Sequence, residues 1–172
     1  TVWDDPSADN KPSRWRVGLA ELSGITRRDQ KMSTALLAGE ADWANYAVET
    51  SLYKANTSGN LVGIVFGYQG PEQFYVAGYN FASGQYELEA RTPGGFEILQ
   101  SLKKRFPSNE DVGIRVEFGG TNIRLMAGGE VIFNVAQSRS LSGRFGLGAS
   151  DLRGARVYFG PVKVTGDRKS VV

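Results

Sequence analysis

The feature that most restricts what this chain can fold into is an alternation of apolar and polar residues with a period of two, cut at short intervals by turn formers. It is cleanest in the C-terminal half. Val112, Ile114, Val116 and Phe118 alternate with Gly113, Arg115 and Glu117, and the run ends at Gly119-Gly120. Ile123, Leu125 and Ala127 lead to Gly128-Gly129, and Val131, Phe133 and Val135 carry the return. Successive side chains of a strand point to opposite faces, so each segment predicts a strand with one apolar and one wet side. Glycine pairs between such runs supply the positive φ angles of tight hairpins. Phe145 and Leu147 follow, and Val157, Phe159, Val162 and Val164 close the pattern.

The first half keeps the same period. Tyr46, Val48, Thr50 and Leu52 alternate with Ala47, Glu49, Ser51 and Tyr53 as far as the turn cluster Asn56 to Asn60. The runs Leu61 to Gln69 and Phe74 to Asn80 are joined at Gly70-Pro71, and Gln85 to Arg91 sets Tyr86, Leu88 and Ala90 against Gln85, Glu87, Glu89 and Arg91. Helical patterns are scarce: Ile98 to Arg105 reads as a short helix or equally as a strand and loop. Many short strands in a chain with 22 glycines predict an all-β fold of two antiparallel sheets. At 172 residues there is one domain, which we divide into an N-terminal arm (1–14), a sandwich (15–166) and a C-terminal tail (167–172). Phe66, Val116 and Phe133 are expected in its core.

Composition removes whole classes of chemistry. With no cysteine and no histidine, thiolate nucleophiles, disulfides, ordinary zinc sites and imidazole bases are all absent. Any catalysis falls to carboxylates, Tyr, Lys or Arg. A net charge of +2 gives no field that would draw the chain to nucleic acid, and Arg27-Arg28 and Lys103-Lys104-Arg105 read as solvated loop charges. No apolar stretch nears the roughly 20 residues of a membrane span, so no membrane insertion is expected. The chain starts at Thr1 without a leader-like pattern, which we read as a mature product or an excised piece. Without histidine, ligand binding is expected to be nearly flat between about pH 5 and 8.

Four stretches carry a family resemblance. STALLAGEADWANYAVETSLY, VGIVFGYQGPEQFYVAGYN, IRVEFGGTNIRLMAGGEVIFNV and SGRFGLGASDLRGARVYFGPVKV resemble segments of the concanavalin A-like jelly roll, in particular its laminin G-like and 3-keto-disaccharide-hydrolase-like members. Together they span roughly residues 33 to 164. The resemblance implies a concanavalin A-like jelly-roll β-sandwich, an extracellular or cell-surface setting, and a poly- or oligosaccharide partner. Family members that handle sugars often carry an Arg in each strand of the central hairpin, where this chain has Gly67 and Gly78. A structural calcium of some relatives uses an Asp near the last strand, where this chain has Gly160-Pro161; Asp42 and Asp151 remain as hard oxygen donors.

The hairpin glycines raise a question. If Ile64, Phe66 and Tyr68 point inward, then Val65, Gly67 and Gln69 face outward beside Phe74, Val76 and Gly78, an exposed face of low relief. Either the glycines permit curvature and close backbone approach, or they hollow the sheet for a ligand, in which case an Arg restored at Gly67 or Gly78 would point into solvent. Glu87 and Glu89 are the most enzyme-like pair, since residues two apart share a strand face at about 6.5–7 Å, near the spacing of glycosidase acids. YELEAR lacks the third acid of the jelly-roll glucanases, however. We expect ligand contacts from Gln69, Asn80, Glu87, Glu89, Arg91, Arg115, Glu117 and Arg124. Trp15, Trp43, Tyr75, Tyr79 and Tyr86 suit sugar stacking or the core.

The expected function is a non-catalytic carbohydrate-binding or cell-surface interaction module of an exported protein. Two alternatives stand beside it. One is a glycoside-processing enzyme using Glu87 and Glu89. The other is a self-assembling extracellular subunit, with Val2 and Trp3 of the arm docking on a neighbouring copy.

Overall fold

In the computed structural model of the chain, residues 14–17, 22–25, 34–53, 61–149 and 156–166 are described. They form β1 (Arg14–Val17), β2 (Leu22–Ile25), β3 (Thr34–Ala38), β4 (Tyr46–Tyr53), β5 (Leu61–Gly70), β6 (Gln73–Asn80) and β7 (Gln85–Thr92). There follow β8 (Gly95–Lys103), β9 (Asp111–Gly119), β10 (Asn122–Ala127), β11 (Glu130–Ala136), β12 (Arg144–Ala149), β13 (Arg156–Phe159) and β14 (Lys163–Gly166). Among the described residues there is no helix. Ile98 to Arg105 therefore takes the strand alternative, as the second half of β8 and the loop after it.

The strands make two antiparallel sheets. One has eight strands in the order β1-β2-β13-β4-β9-β10-β11, with β14 also paired to β4; the other has six, in the order β3-β12-β5-β6-β7-β8. The chain crosses between the layers after β2, β3, β4, β8, β11 and β12, which makes this a jelly-roll sandwich rather than two separate meanders. Register follows from the alternation. Tyr46, Val48, Thr50 and Leu52 on β4 lie opposite Phe118, Val116, Ile114 and Val112 on β9, so the inward sets of neighbouring strands coincide.

The core lies between the sheets. Phe66 of the six-stranded sheet stacks on Tyr75 beside it at 5.4 Å and on Phe118 of the other sheet at 4.8 Å. Phe66 and Val116 are fully buried and Phe133 nearly so, as the alternation predicts. Two inward tyrosines find partners for their hydroxyls: that of Tyr46 donates to the Gly143 carbonyl at 2.8 Å, and that of Tyr79 donates to Lys104 O and accepts from Phe106 N. Tyr79 thereby fastens the loop after β8. Trp43, half-buried, meets Tyr46 edge-on at 5.9 Å and stacks on Phe145 at 5.7 Å.

The central hairpin departs from expectation in three ways. Gly67 sits at φ +57°, and the β5–β6 register shifts between Phe66 and Gly70. This bulge turns Tyr68 over, so that it packs with Val65 and Phe74 instead of with Ile64 and Phe66. Nor is the outer face of the hairpin exposed. Ala35, Leu37, Leu61, Val65, Phe74 and Val76 form a second buried cluster there. Finally, the glycines are fixed by sterics. Gly63 and Gly78 face each other across β5 and β6, and a Cβ at Gly78 would fall 2.0 Å from the Val62 carbonyl oxygen. One at Gly67 would meet Leu141 O and the Tyr75 ring at 3.2 Å. A side chain at Gly78 has no room against the neighbouring backbone, and one at Gly67 would meet both a tight contact and a left-handed backbone.

Candidate functional site

The eight residues expected to meet a ligand fall in three places, not one. The first is the outer face of β6 and β7. A row of residues runs across the six-stranded sheet through Gly148, Gly63, Gly78, Glu87 and Ser101. Glu87 ends the glycine part of that row and is only 1% exposed. Its carboxyl oxygens accept hydrogen bonds from Asn80 Nδ2 at 2.8 Å, Ser83 Oγ at 3.0 Å and Gln85 Nε2 at 2.6 Å. The Asn80 Oδ1 atom in turn accepts from the Ala82 and Ser83 amides, so one side chain shapes the β6–β7 turn and holds Glu87.

Glu89 lies two residues on, opposite Val76 and Ile98. Burial, then the negative charge of Glu87, then a hydrogen bond with Glu87 push its pKa up to about 7. A chain without histidine thus has one carboxyl, that of Glu89, raised toward neutrality.

The second place is the end of the six-stranded sheet at the β5–β6 and β7–β8 turns. Two neighbouring cavities open there, of about 470 Å³ and about 340 Å³, and Glu72, Gln73, Arg91 and Pro93 line both. Gln69, at the rim, is committed to structure, donating through Nε2 to Ala41 O at 2.9 Å and Ser142 O at 2.8 Å. The Arg91 guanidinium stands 4.9 Å over the Phe96 ring, and its buried Nε has no hydrogen-bond partner among the described residues.

The third place is a groove of about 440 Å³ on the outer face of the eight-stranded sheet. Thr165, Ala47, Glu117, Arg124 and Asn134 make one row across β14, β4, β9, β10 and β11. Arg115, two residues before Glu117, donates through Nε to Glu117 Oε1 at 2.8 Å and through Nη1 to Glu49 at 3.2 Å. Arg124 reaches the other Glu117 oxygen at 3.4 Å. Hydrogen bonding from Arg115 leads the causes that lower the Glu117 pKa. Asn45, Asn122 and Asn134 complete the groove; the Asn45 Oδ1 accepts from the Gly120 amide at 3.0 Å.

Structure thus joins Arg115, Glu117 and Arg124, joins Asn80, Glu87 and Glu89, and sets Gln69 and Arg91 at a separate rim. Asn122 and Asn134 were not picked out from sequence, although each holds an outward position beside an inward Ile123 or Phe133. Arg139 carries no such signal, because loop geometry alone brings it to the smaller cavity, and Phe96 meets Arg91 only through the pairing of β7 with β8. Tyr75, Tyr79 and Tyr86 are buried, and the side chain of Trp15 lies outside the described residues, as do Val2, Trp3, Arg27, Arg28, Asn56 to Asn60 and Asp151. Among the described residues no three acidic side chains gather in a way that could hold a metal ion, and Asp42 is exposed.

No family model matches the chain, and no curated protein matches it. Solved structures do. The carbohydrate binding module CBM66 from Bacillus subtilis superposes with a TM-score of 0.80 at 14% identity, over 95% of each chain. The fold is the concanavalin A-like jelly roll. Domain 4 of AbnA, an extracellular GH43 arabinanase from Geobacillus stearothermophilus solved with arabinotriose, gives 0.64 at 6% identity over 98% of this chain and 84% of its own. The Caenorhabditis elegans galectin LEC-6 gives 0.58 at 10% identity over 83% and 96%.

Proposed function

We propose that the chain is a carbohydrate-binding module of an exported protein, and that it holds an oligo- or polysaccharide in the groove on the outer face of the eight-stranded sheet. The observation that carries this reading is the fixed array of Arg115, Glu117 and Arg124 with Asn45, Asn122 and Asn134. Sugar hydroxyls both donate and accept, and amide, guanidinium and carboxylate groups set on neighbouring rigid strands answer them in kind. The Glu49–Arg115–Glu117–Arg124 ion pairs hold the guanidinium planes before any ligand arrives, which lowers the ordering cost of binding. An open groove suits contact along a glycan chain more than capture of a single sugar. The names of three neighbours in fold, a carbohydrate binding module, an arabinotriose-bound domain and a galectin, agree with it.

In this reading the module does no chemistry. Glycosidase carboxyls stand about 5–9.5 Å apart so that a glycosidic bond or a water fits between them, whereas Glu87 is buried and its oxygens are taken up by Asn80, Ser83 and Gln85. Affinity electrophoresis through gels containing soluble polysaccharides tests the proposal. Retarded migration on at least one polysaccharide is expected, reduced for Arg124→Ala, with no reducing ends released on long incubation. Release of product that stops in Glu89→Gln would instead establish the enzyme.

A further inference from the structure

We infer that the paired cavities at the end of the six-stranded sheet are a second ligand site, for a sugar that carries a carboxylate, such as a uronate. The inference stands apart from the groove and rests on Arg91. Among the described residues no carboxylate stands within ion-pairing distance of this guanidinium, although Glu72 lines the same two cavities. Its Nε is buried without a hydrogen-bond partner. Buried donors in folded proteins are nearly always paired, so an orphan at the wall of a cavity marks a missing partner. The Phe96 ring 4.9 Å beneath it orients the guanidinium, and a planar fork so held matches a carboxylate with two parallel hydrogen bonds.

The rest of the lining fits the body of a sugar. Arg139, held by Glu97 at 3.3 Å, adds a second guanidinium to the 340 Å³ cavity, where Phe74 and Tyr75 form the apolar wall. Pro71 and Pro93 flank the 470 Å³ cavity, and Gln73 offers an amide to both. Each cavity is of the size that takes a small ligand. A neutral hexose would leave Arg91 as it is, while a uronate supplies the anion that it lacks.

The test is a titration of the isotopically labelled chain followed by amide resonances, with sodium D-glucuronate as probe and D-glucose and sodium chloride as controls. Glucuronate should move the amides of Gln69, Glu72, Gln73, Arg91 and Thr92, and neither control should. Loss of a charge-assisted pair is worth roughly a ten- to hundredfold weakening, expected for Arg91→Gln; Arg124→Ala in the groove should titrate like the parent. The exposed Arg139→Gln, which leaves the strands untouched, should weaken binding as well. Unmoved amides with glucuronate, equal shifts with glucose, or undiminished binding in both Arg variants would overturn the site. Polysaccharide retardation in gels, which reports on the groove, is unaffected by any of these outcomes.

Discussion

At the scale of single residues, Glu89 and Glu87 show how one strand face can treat two identical side chains differently. Glu87 lies among donors from Asn80, Ser83 and Gln85, while Glu89 lies opposite Val76 and Ile98 and feels the charge of Glu87. The folded pKa of Glu89, about 7, lies above its ordinary value of 4.5. The native state therefore binds the extra proton between those two values, and stability falls as pH rises through that window. Below about pH 4.5 the penalty vanishes, since both states are protonated. Glu89→Gln should remove the dependence, melting with the parent near pH 4 and above it near pH 8. Parallel melting curves for the two proteins across that range would show that Glu89 does not titrate there. The pair was legible as a pair from YELEAR, but its environment was not, because Val76 and Ile98 reach Glu89 only through strand pairing.

At the scale of elements, the β5–β6 hairpin is held in shape by glycines whose roles differ. Gly78 lets two backbones approach, and Gly67 makes the bulge that inverts Tyr68. Gly78→Ala should destabilise the chain by roughly 1–3 kcal/mol or more, since the new methyl has no room. Gly113 on β9 is an outward position with open space around its Cβ direction. There alanine should be neutral or stabilising by about 0.5–1 kcal/mol, through lost freedom of the unfolded chain. Chemical denaturation of both variants checks the contrast, and equal effects would contradict it. The strands themselves were readable because a period of two survives wherever one face is wet. At β5 and β6 it still gave the strands and the inward Ile64 and Phe66, but not the burial of the outer face, because both faces are apolar there. The bulge compounded this, since one irregular residue reverses every side chain after it.

At the scale of the whole molecule, the two sheets share one core but present different outer faces. That of the six-stranded sheet is apolar and buried over β3, β5 and β6, while the eight-stranded sheet carries its charged and amide side chains outward over β4, β9, β10 and β11. Phe66 joins the layers through Phe118, so Phe66→Ala should cost about 3–5 kcal/mol. A melting temperature unchanged by that substitution would contradict its place at the centre. The division of faces also explains why the eight residues chosen from sequence did not converge: alternation tells which residues leave the core, not which sheet they leave it from. Arg115, Glu117 and Arg124 met because β9 and β10 are a tight hairpin, the one pairing that Gly119-Gly120 made readable.

The claim that this outer face binds glycan is tested most directly on a glycan array, probed with the parent chain and with the Asn122→Ala/Asn134→Ala double variant. Both asparagines are exposed, so the variant should melt with the parent. The parent should be retained on a related set of oligosaccharides, and the variant should bind that set about tenfold more weakly or worse. An array without retained glycan, or one on which the two proteins bind alike, would contradict the account.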